Sequence, residues 1–286
     1  MNVDALAQSI LNGLVSGGIY ILVAVGMTLV LSITRIIQLA HGEIYMLGAY
    51  CVYYLCAVFG IHFFLALIVS MLLVGVLGIV LERVFFRPVR GDEIRSLIVG
   101  VGLMLLFQNF VLVAAGGNAK PIRSPFVGVL HVLGVTIPWE RFAVVLIGLF
   151  LVSALLLFIN RTRIGQAMVA ISEDRDVATL QGINIDRISA IAMFLGCALA
   201  AVAGGLVGSI LSVSPFMGGF ALMKGIAVII LGGLGSITGA IIGGFILGLI
   251  DGLIPAFLNI RVAGLIGFGL IILILLWRPE GILGHD

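Results

Sequence analysis

Long apolar runs, separated by short polar connections, recur along the 286-residue chain. An α-helix needs about 20 apolar residues to cross a bilayer, since each residue advances it by about 1.5 Å. A transmembrane barrel would instead show short segments of alternating polarity. Nine segments reach or approach the helical length: 10–32, 43–60, 62–83, 97–115, 142–159, 188–211, 221–234, 237–254 and 262–277. The runs therefore predict an all-α, polytopic membrane protein with about 8–10 transmembrane helices.

Composition supports a membrane protein and argues against a soluble one. Hydrophobic residues make up 62% of the chain and charged residues 10%, whereas soluble domains are roughly half apolar and about a quarter charged. No linker or low-complexity tract interrupts the pattern, so we predict a single transmembrane domain over residues 1–286. Cys51, Cys56 and Cys197 lie within apolar runs without metal-ligand spacing, and we expect them to pack rather than to bind metal.

Charged residues are concentrated in one internal segment, residues 160–187. The chain has 15 basic and 13 acidic residues, and eight of these 28 fall in that segment. They are Arg161, Arg163, Glu173, Asp174, Arg175, Asp176, Asp186 and Arg187. A second group of arginines lies between residues 83 and 95. Because basic connections stay on the cytoplasmic side, both groups and the C-terminus, which follows Arg278, are predicted to be cytoplasmic.

A short helix is predicted near the middle of the charged segment. Ser172 or Asp174 can cap its N-terminus, acidic residues fill its first turn, and Gly182 follows as a stop signal. A helix of about two or three turns is marginal by itself, so it needs a surface to dock on. Its apolar side chains, Ala178 and Leu180, can pack on the membrane domain or on a partner. A solvated loop is the alternative, and the capping pattern favours a docking element.

Two glycine clusters, Ala40–Glu43 and Leu231–Ser236, interrupt the apolar runs where one predicted span meets the next. Both match the pattern Gly-x5-Gly-Ala. We interpret them as equivalent hinges of a weak internal repeat, with broken or re-entrant helices beside the substrate path, because freed backbone groups are tolerated only next to protein or a water-filled cavity. The predicted pathway comprises Gln38, His41, Gly42, Glu43, Gly232, Gly233, Gly235 and Ser236. The alternatives are close helix packing for the glycines and helix capping for His41 and Glu43.

Two further charged residues, Lys224 and Asp251, lie near the ends of predicted spans. A charge within the membrane costs about 2.5–3.5 kcal/mol on insertion scales. We therefore expect Lys224 to extend its ammonium group to the membrane interface, and Asp251 to be interfacial as well.

Several motifs, in a fixed order, resemble the permeases of branched-chain amino acid ABC importers. In the charged segment they are Arg161-Thr-Arg163-x-Gly165-x-Ala167, Glu173-Asp174 and Ala178-Thr-Leu180-x-Gly182-Ile183-Asn184-x-Asp186-Arg187. Elsewhere they include Ala40-His41-Gly42-Glu43, Leu81-Glu82-Arg83, Arg87-Pro88-Val89-Arg90, Leu231-Gly232-Gly233-Leu234-Gly235-Ser236 and Pro279-x-Gly281-Ile282-Leu283-Gly284. Their joint order over nearly the whole chain is specific, and it is similar to the H-type subunit of that family.

This resemblance implies a bacterial inner-membrane subunit that moves branched-chain and other neutral amino acids. The implied partners are a second, M-type permease, two cytoplasmic ABC ATPases and a periplasmic substrate-binding protein. Segment 160–187 would be the cytoplasmic coupling loop, with ATPase-coupling residues Glu173, Asp174, Arg175, Asp176, Ala178, Leu180 and Gly182. The sequence has no G-x-x-x-x-G-K-[ST] motif, so ATP and Mg are assigned to the partner ATPases. This subunit is expected to be non-catalytic and to bind no cofactor itself.

Two departures from the family pattern bear, in turn, on the identity of the substrate and on the choice of ATPase. Gln38-Leu39 stands where the family commonly has Asn-Phe, and Val169 stands where a basic residue is common. Related permeases of this fold carry urea or short amides, which is one alternative. An ion-coupled secondary transporter is the other, and it would require paired intramembrane carboxylates or a proton relay, for which the sequence offers few candidates.

Overall fold

A computed structural model of the chain describes residues 3–122, 126, 128–132 and 135–257, together with positions 266, 269, 272, 273, 276–278 and 281–284. The predicted span 262–277 lies mostly outside the described residues. The helices are α1 (Val3–Thr34), α2 (His41–Ala57), α3 (Phe63–Leu81), α4 (Glu93–Ala115), α5 (Trp139–Arg161), α6 (Arg163–Glu173), α7 (Arg175–Leu180), α8 (Ile185–Leu211), α9 (Met217–Gly232) and α10 (Ile237–Phe257). A π-helical turn, Glu82–Phe86, and a 3-10 turn, Arg87–Val89, connect α3 to α4.

Six of these helices, α1, α3, α4, α5, α8 and α10, are long and apolar enough to cross a membrane. The apolar helix α9 has 16 residues, which gives it a length of about 24 Å against roughly 30 Å for the hydrocarbon core. Helix α2 has 17 residues. The prediction of a polytopic helical membrane protein is therefore confirmed, and the two shortened helices are those that adjoin the glycine clusters.

One part of the described chain is not helical. The strands β1 (Val129–Val132) and β2 (Val135–Pro138) form an antiparallel hairpin in the connection between α4 and α5, with Val129 opposite Pro138. The hairpin qualifies the all-α prediction only in this connection, since every described element of the membrane bundle is a helix.

Helices α1 and α8 form the centre of the bundle. Helix α8 packs on α2, α3 and α1, whereas α1 packs on α10, α5 and α9. The most apolar stretch of α8 is 83% buried, compared with 17% for α4 and 28% for α5. The buried helix is rich in alanine and glycine, which let its neighbours approach closely, and the exposed helices carry large apolar side chains suited to lipid.

The backbones of α1 and α10 touch where the two helices cross. Gly13 and Gly17 of α1 lie against Gly248 and Gly252 of α10, so close that a Cβ added at Gly248 would stand 2.3 Å from the Gly17 Cα. The glycines of α10 at this crossing therefore serve close helix packing.

Gly248→Ala should lower the stability of the purified protein by about 1–3 kcal/mol, because the added methyl group overpacks this crossing. Gly102→Ala is the matched control, since a Cβ at Gly102 of α4 has nothing within 4 Å. Alanine favours a helix interior by about 0.5–1 kcal/mol over glycine, so the control should be neutral or slightly stabilising. Thermal unfolding in detergent compares the two variants, and equal midpoints would contradict the close contact.

Candidate functional site

The predicted short helix of the charged segment is present as α7, and its N-cap is Asp174. Asp174 Oδ1 accepts hydrogen bonds from the backbone N–H groups of Asp176 and Val177, at 2.9 and 3.0 Å. Ser172, the alternative cap, lies inside the preceding helix. Gly182 follows with a φ of +81°, a conformation that glycine adopts without strain and that ends the helix. At six residues, α7 is shorter than predicted.

The 11-residue helix α6, which precedes α7, was not predicted from the sequence. Gly165, Met168 and Ile171 are buried at intervals of three residues, and the four positions between them are exposed or half-buried. That interval is the signal that could have revealed an amphipathic helix. Thr162 Oγ1 caps it by accepting from Gly165 N at 3.0 Å. Segment 160–187 is therefore built of two short helices and the first turn of α8, instead of one helix in a loop.

One face of α7 is exposed and combines apolar with acidic side chains. Leu180 is 87% exposed and Val177 is 47% exposed, whereas Ala178 is buried against the chain itself. The exposed acidic residues at the N-terminal end are Glu173, Asp174 and Asp176. We call these five exposed residues the coupling face. It is too polar for lipid and holds a leucine that water solvates poorly, so its chemistry suits a protein partner.

An ion-pair network links this segment to the other arginine-rich connection. Asp186, in the first turn of α8, pairs with Arg87 and with Arg90, whose Nη1 lies 2.7 Å from Asp186 Oδ1. Arg90 also pairs with Glu82, and the side chains of these two residues are 8% and 1% exposed. The positive-inside rule predicted that these arginines lie on one side of the membrane. It could not predict their acidic partners, Asp186 and Glu82, which only the folded structure brings close to them.

Arg90→Met should destabilise the protein by about 3–5 kcal/mol, because it leaves Glu82 buried without its cation. Arg95→Met makes the same chemical change in the exposed pair between Arg95 and Asp92, whose side chains are 73% and 43% exposed. That control should cost at most about 1 kcal/mol. Thermal unfolding of both purified variants checks the difference, and a similar loss in the two would show that burial of the Arg90 pair has no energetic consequence.

The predicted pathway residues near the start of α2 are buried in the centre of the bundle. Gln38, His41 and Glu43 are 1%, 0% and 2% exposed, and Gln38 Oε1 lies 3.4 Å from His41 Nδ1. Within the described part of the chain, Gln38 Nε2, His41 Nε2 and Glu43 Oε2 have no hydrogen-bond partner. The N-cap of α2 is Ala40, which makes no side-chain cap bond. The cluster therefore presents buried polar atoms that a water molecule or a ligand can satisfy.

The two glycine clusters lie at opposite ends of α9. Gly42 touches Gly218 at its start, where a Cβ on Gly42 would stand 2.3 Å from the Gly218 carbonyl oxygen. The second cluster forms the turn between α9 and α10, in which Gly233 and Gly235 have φ values of +106° and +86°. Ser236 Oγ caps α10 there. Each cluster lies at the start of a helix, as the repeat hypothesis expects. The clusters are nevertheless separated by the length of α9, about 21 Å from Gly218 to Gly232.

The last described residues of the chain return to the end of α9. The N–H groups of Ile282 and Leu283 donate to the carbonyl groups of Leu231 and Gly232, at 3.0 and 2.9 Å. Gly281, with a φ of +82°, sets the turn that makes this approach possible. Helix C-termini leave carbonyl groups without partners, and the C-terminal segment satisfies two of them at this glycine cluster.

The structure corrects the expectation that Lys224 extends its ammonium group to the membrane interface. Lys224 Nζ lies 2.5 Å from Asp251 Oδ2, and Tyr20 Oη donates to the same oxygen at 2.7 Å. The Lys224 and Asp251 side chains are 11% and 16% exposed. Helices α9, α10 and α1 meet at this point. Pairing opposite charges inside the bundle removes the cost that would otherwise drive each charge to the surface.

The three cysteines lie in helices, and Cys197 is the most buried of them. All three are free thiols, and Cys197 is buried. A Cβ added at Gly78 of α3 would stand 2.7 Å from Cys197 Sγ, so the thiol fills the contact between α3 and α8. Among the described residues, no three His, Cys, Asp or Glu side chains lie together in a way that could hold a metal ion.

Comparison with known proteins connects this geometry to a family. The sequence model of one protein family, described as the branched-chain amino acid transport system permease component, matches residues 9–275 of this chain. The chain is 36% identical to the high-affinity branched-chain amino acid transport system permease protein LivH of Escherichia coli, over 97% of this chain and 95% of that protein. Identity and coverage are the same for BraD of Pseudomonas aeruginosa, which has the same descriptive name. The permease protein LivM of Escherichia coli is 27% identical, over 93% of this chain and 68% of that protein.

Proposed function

The chain belongs to the family of branched-chain amino acid transport permease components, and we propose that it is the H-type transmembrane subunit of an ATP-driven importer of leucine, isoleucine, valine and other neutral amino acids. The observation that carries this proposal is the similarity to LivH and BraD along 97% of the chain. Both relatives are named for branched-chain amino acids, which favours these substrates over urea or short amides. An ion-coupled mechanism would need paired intramembrane carboxylates or a proton relay, whereas the carboxylate of Asp251 pairs with the Lys224 ammonium and not with a second carboxylate.

The proposed partners follow from the family. An M-type permease would complete the membrane pore, and the similarity of this chain to LivM supports a pair of related halves. Two ATPase subunits would bind ATP and Mg in the cytoplasm. A periplasmic binding protein would deliver the amino acid to the outer side of the inner membrane. The present subunit would then be non-catalytic and would hold no cofactor.

We assign the cytoplasmic side to the end of the bundle that carries α7. Ser172 of α6, Gly235 of the turn between α9 and α10, and Ser32 of α1 line one cavity, so these elements share that end. The bonds from Ile282 and Leu283 to the end of α9 place the C-terminal segment there too. A cytoplasmic α7 and a cytoplasmic C-terminus are therefore one proposal.

Helix α7 would transmit closure of the ATPases to the membrane helices. Leu180 and Val177 would enter an apolar cleft on an ATPase, and the acidic residues of the coupling face would meet basic groups around it. Asp186 lies only a few residues beyond α7, in the first turn of α8. Its pair with Arg90, and that of Arg90 with Glu82, extend the connection to the end of α3. Since α8 packs on α1, α2 and α3, its displacement would move the centre of the bundle.

The amino acid would pass the buried polar cluster at the start of α2. Gln38, His41 and Glu43 offer polar atoms there, with His41 beside Gly26 of α1 and Glu43 beside Gly218 of α9. Helix α2 begins inside the bundle, so its N-terminal N–H groups add a partial positive charge there. A zwitterion with an apolar side chain is suited by such dipoles. The residues of the second cluster, Gly232, Gly233, Gly235 and Ser236, would then form the cytoplasmic end of the path.

Leu180→Glu should reduce ATP-dependent uptake of radiolabelled leucine by about tenfold or more, because it places a charge at the centre of an apolar contact. Leu180→Met keeps an apolar side chain of similar volume and should retain most of the activity. The measurement uses the complete transporter in proteoliposomes, together with the amount of ATPase that co-purifies with the permeases. Normal uptake by the glutamate variant would refute docking through α7.

Reversal of Glu173 and Asp176 to lysine should weaken ATPase docking and lower leucine uptake, more strongly at low salt than at high salt, because screening reduces charge contacts. Neither change removes the cap of α7, which is Asp174. Asp174→Asn removes one further carboxylate of the coupling face and keeps the cap, since asparagine caps helices as well as aspartate does. It should lower uptake less than the double reversal does, because it neutralises one charge and reverses none. Unchanged docking and uptake in the double reversal would show that the carboxylates have no part in coupling.

A further inference from the structure

A cavity of about 320 Å³ opens between α1, α5, α8 and α10, at the end of the bundle opposite the coupling face. Helix α5 shows where the cavity lies. Its first turn contains Arg141, which lines the cavity, and its last residue, Arg161, lies beside α6. About 30 Å of helical rise therefore separate the cavity from the cytoplasmic helices. Its volume lies at the lower end of the range of about 300–1,000 Å³ that is usual for small-molecule sites. The cavity has the size and the location of an outer site for one small solute.

The polar part of the wall carries one anion and one cation on different helices. Asp251 of α10 lines the cavity, and both of its hydrogen bonds, from Tyr20 and Lys224, end on Oδ2, which leaves Oδ1 outside these contacts. Arg141 of α5 donates from Nη1 to Asn12 Oδ1 at 2.7 Å. A guanidinium group has five N–H donors, so this bond orients Arg141 and leaves further donors for a ligand.

Apart from Asn12 and Ser16, the rest of the wall is apolar, with Val15 and Ile19 from α1 and Val207 and Ile210 from α8. A neutral amino acid has an ammonium group, a carboxylate and, in the branched-chain case, an aliphatic side chain. The wall has a partner for each of these: Asp251 for the ammonium, Arg141 for the carboxylate and the four aliphatic residues for the side chain. Opposite charges across an apolar cavity also disfavour a solute that carries a single net charge.

From this arrangement we infer that the cavity is a binding site for the zwitterionic amino acid on the outer side of the permease, with Asp251 and Arg141 as its specificity-determining residues. The inference rests on the proposed function and adds a subsite to it. Lys224 and Tyr20 hold Asp251 in position and do not face the ligand. A purely structural ion pair between α9 and α10 is the alternative, and it makes a different prediction about exchange of the two charges.

The test exchanges the charges by combining Lys224→Asp with Asp251→Lys in the complete transporter. The exchange keeps an ion pair between α9 and α10 but turns a cation toward the cavity, so uptake of radiolabelled leucine should fall about 10- to 100-fold, the loss expected for one charged hydrogen bond. Uptake equal to that of the unmodified transporter would overturn the inference, because a structural pair works in either orientation.

If the double variant with Lys224→Asp and Asp251→Lys does not assemble, Arg141→Met tests the inference instead. It removes the cation from the cavity rim without disturbing the Lys224 pair, and leucine uptake should fall at least about tenfold. Lys120→Met is the control, because Lys120 lies at the same end of the bundle, over the rings of Tyr53 and Tyr54 and outside the cavity. Its uptake should be unchanged. Normal uptake by the Arg141 variant would overturn the inference.

Photolabelling separates this inference from the proposed function. A diazirine analogue of leucine, irradiated with the unmodified transporter, should label peptides that contain residues 12–19, 207–211 or 251–255. Excess leucine should suppress the labelling, and 4-methylpentanoate, which lacks the ammonium group, should not. Labelling absent from all three peptides would overturn the site even if leucine is imported. If the unmodified transporter does not import leucine, the proposed function is wrong. Labelling of the cavity would still show whether the amino acid binds there.

Discussion

In lipid, apolar side chains gain little by leaving their surroundings for one another, so the helices of this bundle associate through close packing and through bonds between polar groups. Glycine brings main chains together at the crossing of α1 with α10 and at the contact of α2 with α9. These contacts hold the helices at short distances from one another. Tyr20 of α1 reaches Asp251 of α10 because the two helices touch along their glycines. The polar contacts of the protein thus depend on where its small residues lie.

Polar groups in the bundle are of two kinds. Those of the first kind are paired: Arg90 with Glu82 in the connection between α3 and α4, and Lys224 with Asp251 between α9 and α10. The pairs tie helices together and offset the cost of burying charge. The second kind, the cluster of Gln38, His41 and Glu43, retains polar atoms without partners. Polar groups left unsatisfied in a membrane interior are available to a water molecule or a ligand.

The two ends of the molecule have complementary chemistry. One end presents an exposed leucine surrounded by carboxylates on a capped helix, which suits a protein partner. The opposite end holds an open cavity with one cation, one anion and an aliphatic wall, which suits a small zwitterion. Helix α8 connects them, since its first turn bears Asp186 and its last turns line the cavity. An importer driven from the cytoplasm needs such a connection between its energy input and its solute site.

Local signals in the sequence determined the helical membrane class, the cap at Asp174 and the stop at Gly182. The class depends on single apolar runs, and the cap and the stop depend on residues within one or two helical turns, so all three can be read without knowing the fold. The 11-residue α6 was equally local, and its three-residue interval was overlooked. Only the tertiary structure decided which charged residues pair: Lys224 with Asp251, and Asp186 with Arg90, which is 96 residues away in the sequence. It also decided that the two glycine clusters lie at opposite ends of α9 and that four helices line the cavity at Arg141 and Asp251. The physical reason is that these contacts depend on which helix faces pack together. Packing through small residues can bring two helices into contact however far apart they lie in the sequence.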